Sequence, residues 1–346
     1  MLPFLFKSIL RGIAIVLGVT TILFLLMHAI PGNPWMNYST ERRLMLGPAL
    51  DLDQATMTSL NRRFGLDQPL WRQWLRYVVG DYYGENGEFI CGAVCGNLGP
   101  SITQRGRSVQ DVLFAPPEGQ TFWQSRFGYS IRLMFWSALL AVGLGIPLGI
   151  ISGTTAKTGL SRAISVILAV IISVPNFILG LLAILVLASW LKIMRVIPDW
   201  HNPADWIAPT IVLALTPLAG IARATRAFLI NLTGADYIRT AHAKGLHPVR
   251  VMRDHLLRNA LVPIITYLGP AAMELFTGLF IIEALYAFPG MGREYWLAVL
   301  KLDYSMILGL TMLYAVGIVT LNILNTALCE LLDPRIREAA VTEAPA

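Results

Sequence analysis

The sequence predicts an all-α integral membrane protein with six transmembrane helices, and three observations predict it. Only 14% of its 346 residues are charged and 55% are apolar, with a mean hydropathy of +0.60; a soluble domain carries roughly 25% charged residues. Apolar runs long enough to cross a bilayer recur along the chain, separated by polar turns. Lysine and arginine are spread unevenly over those turns. Thirteen fall in the set formed by the two termini, the 154–162 loop and the 223–258 region, against four in the short loops of the other side. The positive-inside rule then puts both termini and the basic 223–258 region in the cytoplasm. The net charge of +6 follows from these flanking residues and does not call for a nucleic-acid partner.

In chain order, Lys7 and Arg11 precede the apolar run Gly12–Ile30. That run is longer than the roughly 7–15 residues of a signal-peptide core, and no small-x-small cleavage site follows, so it reads as the first span. Ile30-Pro31-Gly32-Asn33-Pro34 stops it. Residues 35–127 form a long polar section assigned outside the cytoplasm. In it, Trp71, Trp74 and Tyr77 fall at helical spacing within an amphipathic Trp71–Val79 stretch, which either lies at the membrane interface or packs as a small helical cap. Cys91 and Cys95 stand four apart in a Gly-rich loop; a small disulfide and two unrelated thiols are both open readings. The second span is 129–153, with Gly145, Gly149 and Gly153 spaced for close helix approach. The third, 163–191, is interrupted at Pro175-Asn176. The fourth is 207–229, the fifth 260–282 and the sixth 305–331. The domain division is 1–34 for the first helix and its end, 35–127 for the outer loop, 128–332 for a core of five helices, and 333–346 for a cytoplasmic tail.

The polar run from Gly234 to Asn259 separates the fourth and fifth spans. Thr233 with Asp236 resembles a capping box, Ala235–Lys244 reads as a short helix, and Gly245 suits the positive φ that ends it. Pro248 suits the first turn of a second helix reaching about Leu261. Seven basic residues (Arg223, Arg226, Arg239, Lys244, Arg250, Arg253, Arg258) cluster there. A short, capped, rigid helix in such a loop is suited to docking.

No HExxH, GxSxG or P-loop pattern is present, so the chain is read as non-catalytic, without metal or cofactor, and unable to hydrolyse ATP by a Walker mechanism. A membrane-embedded enzyme would need paired polar groups within spans, and Glu274, mid-span in the fifth, has no obvious partner in sequence. Two readings of Glu274 stand: an acid lining a pathway, together with the Pro175-Asn176 break, or an acid bonded to a neighbouring subunit. Glu283 sits near the outer end, within reach of the interface. Spans broken by Pro and Gly favour transport over anchoring. A self-sufficient channel or carrier is the competing class.

The run Asp236-Tyr-Ile-Arg-Thr-Ala-His-Ala-Lys-Gly-Leu246, followed by Arg258-Asn-Ala-Leu-Val-Pro263, resembles the EAA-type coupling loop of ABC importer permeases. Arg239-Thr240-Ala241 take the Glu-Ala-Ala places and Gly245 that of the motif glycine. Pro31-Gly-Asn-Pro34, Phe64-Gly-Leu-Asp-Gln-Pro69, Gly96-Asn-Leu-Gly-Pro-Ser101, Glu283 through Gly292, and Leu332-Asp-Pro-Arg-Ile-Arg337 are similar to further motifs of the oligopeptide/dipeptide/nickel permease family, in its first permease subunit. Asn33 and Asn97 depart from the family's frequent Asp, and 81–128 is longer than usual. The resemblance implies a subunit of an ATP-driven peptide importer in the bacterial inner membrane, or the same machinery importing a nickel chelate or another small solute. It also implies a second homologous permease, two cytoplasmic ATPases that use ATP-Mg, an external solute-binding protein, and surrounding lipid. Asp236, Tyr237, Arg239, Thr240, Ala241, Lys244 and Gly245 are then the expected ATPase-coupling residues.

Overall fold

The computed structural model describes residues 2–29, 58, 61–62, 65–82, 88–104, 106–195 and 198–332. The predicted stop at 30–34, Phe64, and the Asp333–Arg337 motif with the tail to 346 lie outside the described residues. The fold is mostly helical. Among the described residues, five helices are long and apolar enough to cross a membrane: α1 (Leu2–Ala29), α4 (Arg126–Thr154), α7 (Ile207–Thr233), α9 (Arg258–Leu285) and α11 (Tyr304–Leu332). Between α4 and α7 lie α5 (Gly159–Ser173) and α6 (Asn176–Ile184), the latter continued by a wide π turn at Leu185–Trp190. The sequence predicts one interrupted third span. In the structure the interruption is a 98° bend, so α5 and α6 are either a broken span or a re-entrant pair. Pro175 forces this. It has no N–H to donate, and it disfavours helix at Val174, which takes ψ 122°.

The prediction of an all-α chain is corrected at one place. Gly80–Tyr82 (β1) and Phe89–Cys91 (β2) pair antiparallel, with Gly80 opposite Cys91. Short helices also lie outside the spans, among them α2 (Leu70–Val78), α3 (Val109–Phe114) and α10 (Met291–Lys301). The expectation for Trp71–Val79 resolves toward a packed cap. Trp74 and Tyr77 pack on a buried cluster containing Val109, Leu113, Met306 and Leu310, while Trp71 stays 68% exposed.

The chain divides into two compact units, one of Met1–Ile9, Ile131–Phe288 and the segment from Ile318, the other of Leu10–Ser130 and Pro289–Gly317. In the first, glycines set the helix spacing. A Cβ on Gly145 would stand 2.9 Å from the Leu218 carbonyl oxygen, and one on Gly149 would stand 2.5 Å from Thr225 Cβ. The Gly145/Gly149/Gly153 stripe of α4 is therefore the seam against α7 within this chain. In the second unit, polar side chains do the joining. Asp303 is fully buried; its Oδ2 accepts from Ser101 Oγ (2.6 Å), Thr103 N (3.0 Å) and Thr103 Oγ1 (2.8 Å), and its Oδ1 from Met306 N (3.1 Å). Buried Glu294 pairs with Arg126 (2.7 Å) and accepts from Gln104 Nε2 (3.1 Å). The Gly96–Ser101 motif is thereby stapled to the start of α11.

Candidate functional site

The basic loop folds as a short helix, α8 (Asp236–Ala243), on a hydrophobic seat. Ile238 and Ala241, three residues apart and both 4% exposed, bury their face among Leu229 of α7 and Val251, Leu256, Ala260 and Ile264. Asp236, Tyr237, Arg239, Thr240, Lys244 and Gly245 are exposed. Of the expected coupling residues, Ala241 alone is turned into the core, where it anchors the helix that presents the others.

The start of α8 differs from the predicted capping box. Thr233 Oγ1 donates to the Ile230 carbonyl (2.6 Å) because α7 runs on through Thr233, and Ala235 is the N-cap, with no side-chain cap bond. The end is as predicted: Gly245 takes φ +72°. A Cβ there would meet nothing within 4 Å, so the constraint is conformational, not steric. Pro248 then opens the next turn, its N-cap His247 accepting from Val249 N (3.4 Å). The helix predicted to stop near Leu261 does not stop. Pro248–Arg250 passes through a π segment, Val251–Leu257, straight into α9. On this exposed surface Arg253 chelates Asp254 (2.6 and 3.2 Å), and that hydrogen bond holds the Asp254 carboxyl below the usual carboxylate range.

Glu274 and the Pro175-Asn176 break, far apart in sequence, are brought together. Asn176 opens α6 with its Nδ2 3.5 Å from where a Cβ on Gly278 would stand, and Gly278 is one turn beyond Glu274 on α9. Glu274 is half-buried; its carbonyl accepts from Thr277 Oγ1 (3.1 Å), while its carboxylate has no hydrogen bond or ion pair among the described residues. Glu283 is not at the interface as expected but fully buried.

In the other unit, Cys91 and Cys95 are joined by a disulfide across a Cα–Cα distance of 5.9 Å. Asn97 Nδ2 donates to the Cys91 carbonyl (3.0 Å) and its Oδ1 accepts from Gly99 N (3.1 Å). An Asp there would lose the first bond, a local reason for Asn in this chain. Three structural features escape sequence reading: the Asp303 staple, the Arg126–Glu294 pair, and a cavity of about 110 Å³ walled by His28, Gln73, Tyr77, Asn97 and Tyr304. Ser108-x-x-Asp111, a signal visible in the sequence, forms a capping box at the start of α3.

The chain has relatives among known proteins. A family model described as "Binding-protein-dependent transport system inner membrane component" matches residues 145–338, and one for the corresponding N-terminal region matches 1–117. The chain is 34% identical over 324 residues to the dipeptide transport system permease protein DppB of Bacillus subtilis, covering 94% of each. It is 30% identical to the oligopeptide transport system permease protein AppB of Bacillus subtilis (97% of this chain, 99% of the other). It is 29% identical to the oligopeptide transport system permease protein OppB of Haemophilus influenzae (97% and 100%). A solved structure of the inward-facing MetNI methionine ABC transporter has a slighter likeness, with a TM-score of 0.47 and 18% identity over 59% of this chain and 93% of that one. A multi-pass helical membrane chain, matched along nearly its whole length, belongs to the family of inner-membrane components of binding-protein-dependent transport systems.

Proposed function

We propose that this chain is the transmembrane permease subunit of an ATP-driven (ABC) importer that moves peptides across the bacterial cytoplasmic membrane by alternating access. The dipeptide and oligopeptide permeases it resembles support the substrate class. The observation that carries the mechanism is α8: a polar, exposed helix held by Ile238 and Ala241 on a core shared with α7 and the root of α9. A helix so seated moves with its spans. Asp236, Tyr237, Arg239, Thr240, Lys244 and Gly245 form the face offered to one of two cytoplasmic ATPases, which bind and hydrolyse ATP-Mg on behalf of this non-catalytic chain. Closure of the ATPase pair displaces α8 and biases the spans between inward- and outward-facing states. A second homologous permease completes the pathway, whose wall on this side includes Glu274, Pro175 and Asn176. A solute-binding protein delivers peptide to the outer side, where residues 35–127 and the Cys91–Cys95 disulfide lie, both termini being cytoplasmic.

The test is reconstitution with the ATPases, second permease and binding protein that co-purify with the chain. ATP-dependent uptake of a labelled peptide, and not of a nickel chelate, is expected. Replacing Gly245 with Val puts a β-branched residue at φ +72°, costing about 1–2 kcal/mol locally; uptake should fall at least tenfold while membrane insertion persists. Peptide movement by this chain without an ATPase, or mapping of 234–259 to the outer side, would refute the reading.

A further inference from the structure

We propose that Glu274, Asn176 and Thr216 form a cation-recognising position that takes the α-ammonium group of the peptide in transit. The inference rests on the peptide-import reading and adds the group that is recognised.

Three oxygen acceptors without partners lie on three packed helices. Asn176 Oδ1 at the start of α6 and Thr216 Oγ1 on α7 are both buried and have no hydrogen-bond partner among the described residues. The Glu274 carboxylate on α9 has none either. Glycine contacts fix their levels. Leu213 Cδ1 of α7 stands 3.1 Å from the Cβ position of Gly278, and Tyr267 Oη of α9 stands 2.6 Å from that of Gly220. The order reverses between the two helices, so they run antiparallel, and between those contacts α7 carries Thr216 and α9 carries Glu274. Asn176 rests on Gly278 itself, one turn from Glu274. Glu274 also borders the open side of α9, marked by exposed Pro270, Thr277 and Ile281. A carboxylate at that edge reaches a passing solute, with the two neutral acceptors behind it.

An ionisable side chain is costly to hold within a span and marks a site when its neighbours leave it unpaired. One anionic and two neutral acceptors match the three donors of an ammonium group. Peptides differ in their side chains, and the α-ammonium is the cation that unmodified ones share.

The experiment is equilibrium binding of a radiolabelled tripeptide with a free amino terminus, and of its N-acetyl twin, to the purified complex of permeases and ATPases without the binding protein. The free-amine peptide should bind about tenfold tighter, the order of one charge-assisted hydrogen bond. E274Q should erase the difference, E274D should retain most of it, and T216V should reduce it. A difference that survives in E274Q, an equal loss for both peptides, no binding of either, or an E274Q complex that sheds its second permease would overturn the proposal; the last outcome would make Glu274 a subunit contact. ATP-driven uptake of the free-amine peptide by the complete wild-type transporter, measured in parallel, tests the underlying reading separately.

Discussion

Asp303 and Glu274 are both carboxylates in a chain poor in charge, and their surroundings are opposite. Asp303 accepts four hydrogen bonds from Ser101, Thr103 and Met306 and is sealed from solvent. The Glu274 carboxylate is half-open and accepts none from the described residues. A saturated buried acid holds a fold together, because removing it strands every donor aimed at it. An unsaturated one contributes little to stability, and its capacity to accept is left for something else. The unit of Leu10–Ser130 and Pro289–Gly317 uses its buried carboxylates as staples, whereas the other unit closes with glycine seams and leaves a polar set unused.

That contrast can be broken by measurement. The largest effect is expected from Asp303→Ala, which leaves four donors stranded and should cost about 3 kcal/mol, read as a lower melting temperature and faster proteolysis of the Gly96–Gln104 loop. Next comes Gly149→Val, whose Cβ would meet Thr225 Cβ at 2.5 Å and the Ala222 carbonyl at 2.7 Å. Overpacking of that kind costs about 1–3 kcal/mol, whereas Gly143→Ala, with nothing within 4 Å, should be silent. Glu274→Gln should leave the melting temperature unchanged or raise it. A loss comparable to that of Asp303→Ala would mean that Glu274 is a staple too.

The smallest effect concerns the Arg72–Asp81 pair (3.0 Å) beside β1. The Arg72 hydrogen bond, working against partial desolvation, holds the Asp81 carboxyl below its usual range. Because the folded value is the lower one, the pair stabilises above about pH 4 and that contribution fades as pH falls further. At a partly exposed site it amounts to about 0.5 kcal/mol or less. Unfolding of the Arg72→Ala complex should therefore converge with wild type once pH has fallen through the lowered Asp81 pKa.

The long elements were legible in the sequence because apolar length alone defines a span: the fourth, fifth and sixth spans end within a few residues of α7, α9 and α11. Gly245 was legible for a local reason, its tolerance of positive φ. The Thr233 cap failed because Gly234 stays near helical geometry at φ −82°, which moves the N-cap two residues on to Ala235. The 98° turn at Pro175 showed as a break but not as an angle, since packing against α7 and α9 decides how far a broken helix folds back. The fates of Glu274, Glu283, Glu294 and Asp303 were not legible at all. Composition marks each as an acid in an apolar setting, and only tertiary structure says which are met by donors.

The wide turn at Val251–Leu257 holds slack at the foot of a rod that is otherwise continuous from Pro248 to Leu285. Winding one surplus residue of that turn into regular pitch would advance everything above it by about 1.5 Å and swing it through about 100°. Glu274, sixteen residues up from Arg258, lies on the part of the rod that such a rewinding would turn. The loop that carries α8 and the acid deep in the span are thus two points on a single screw.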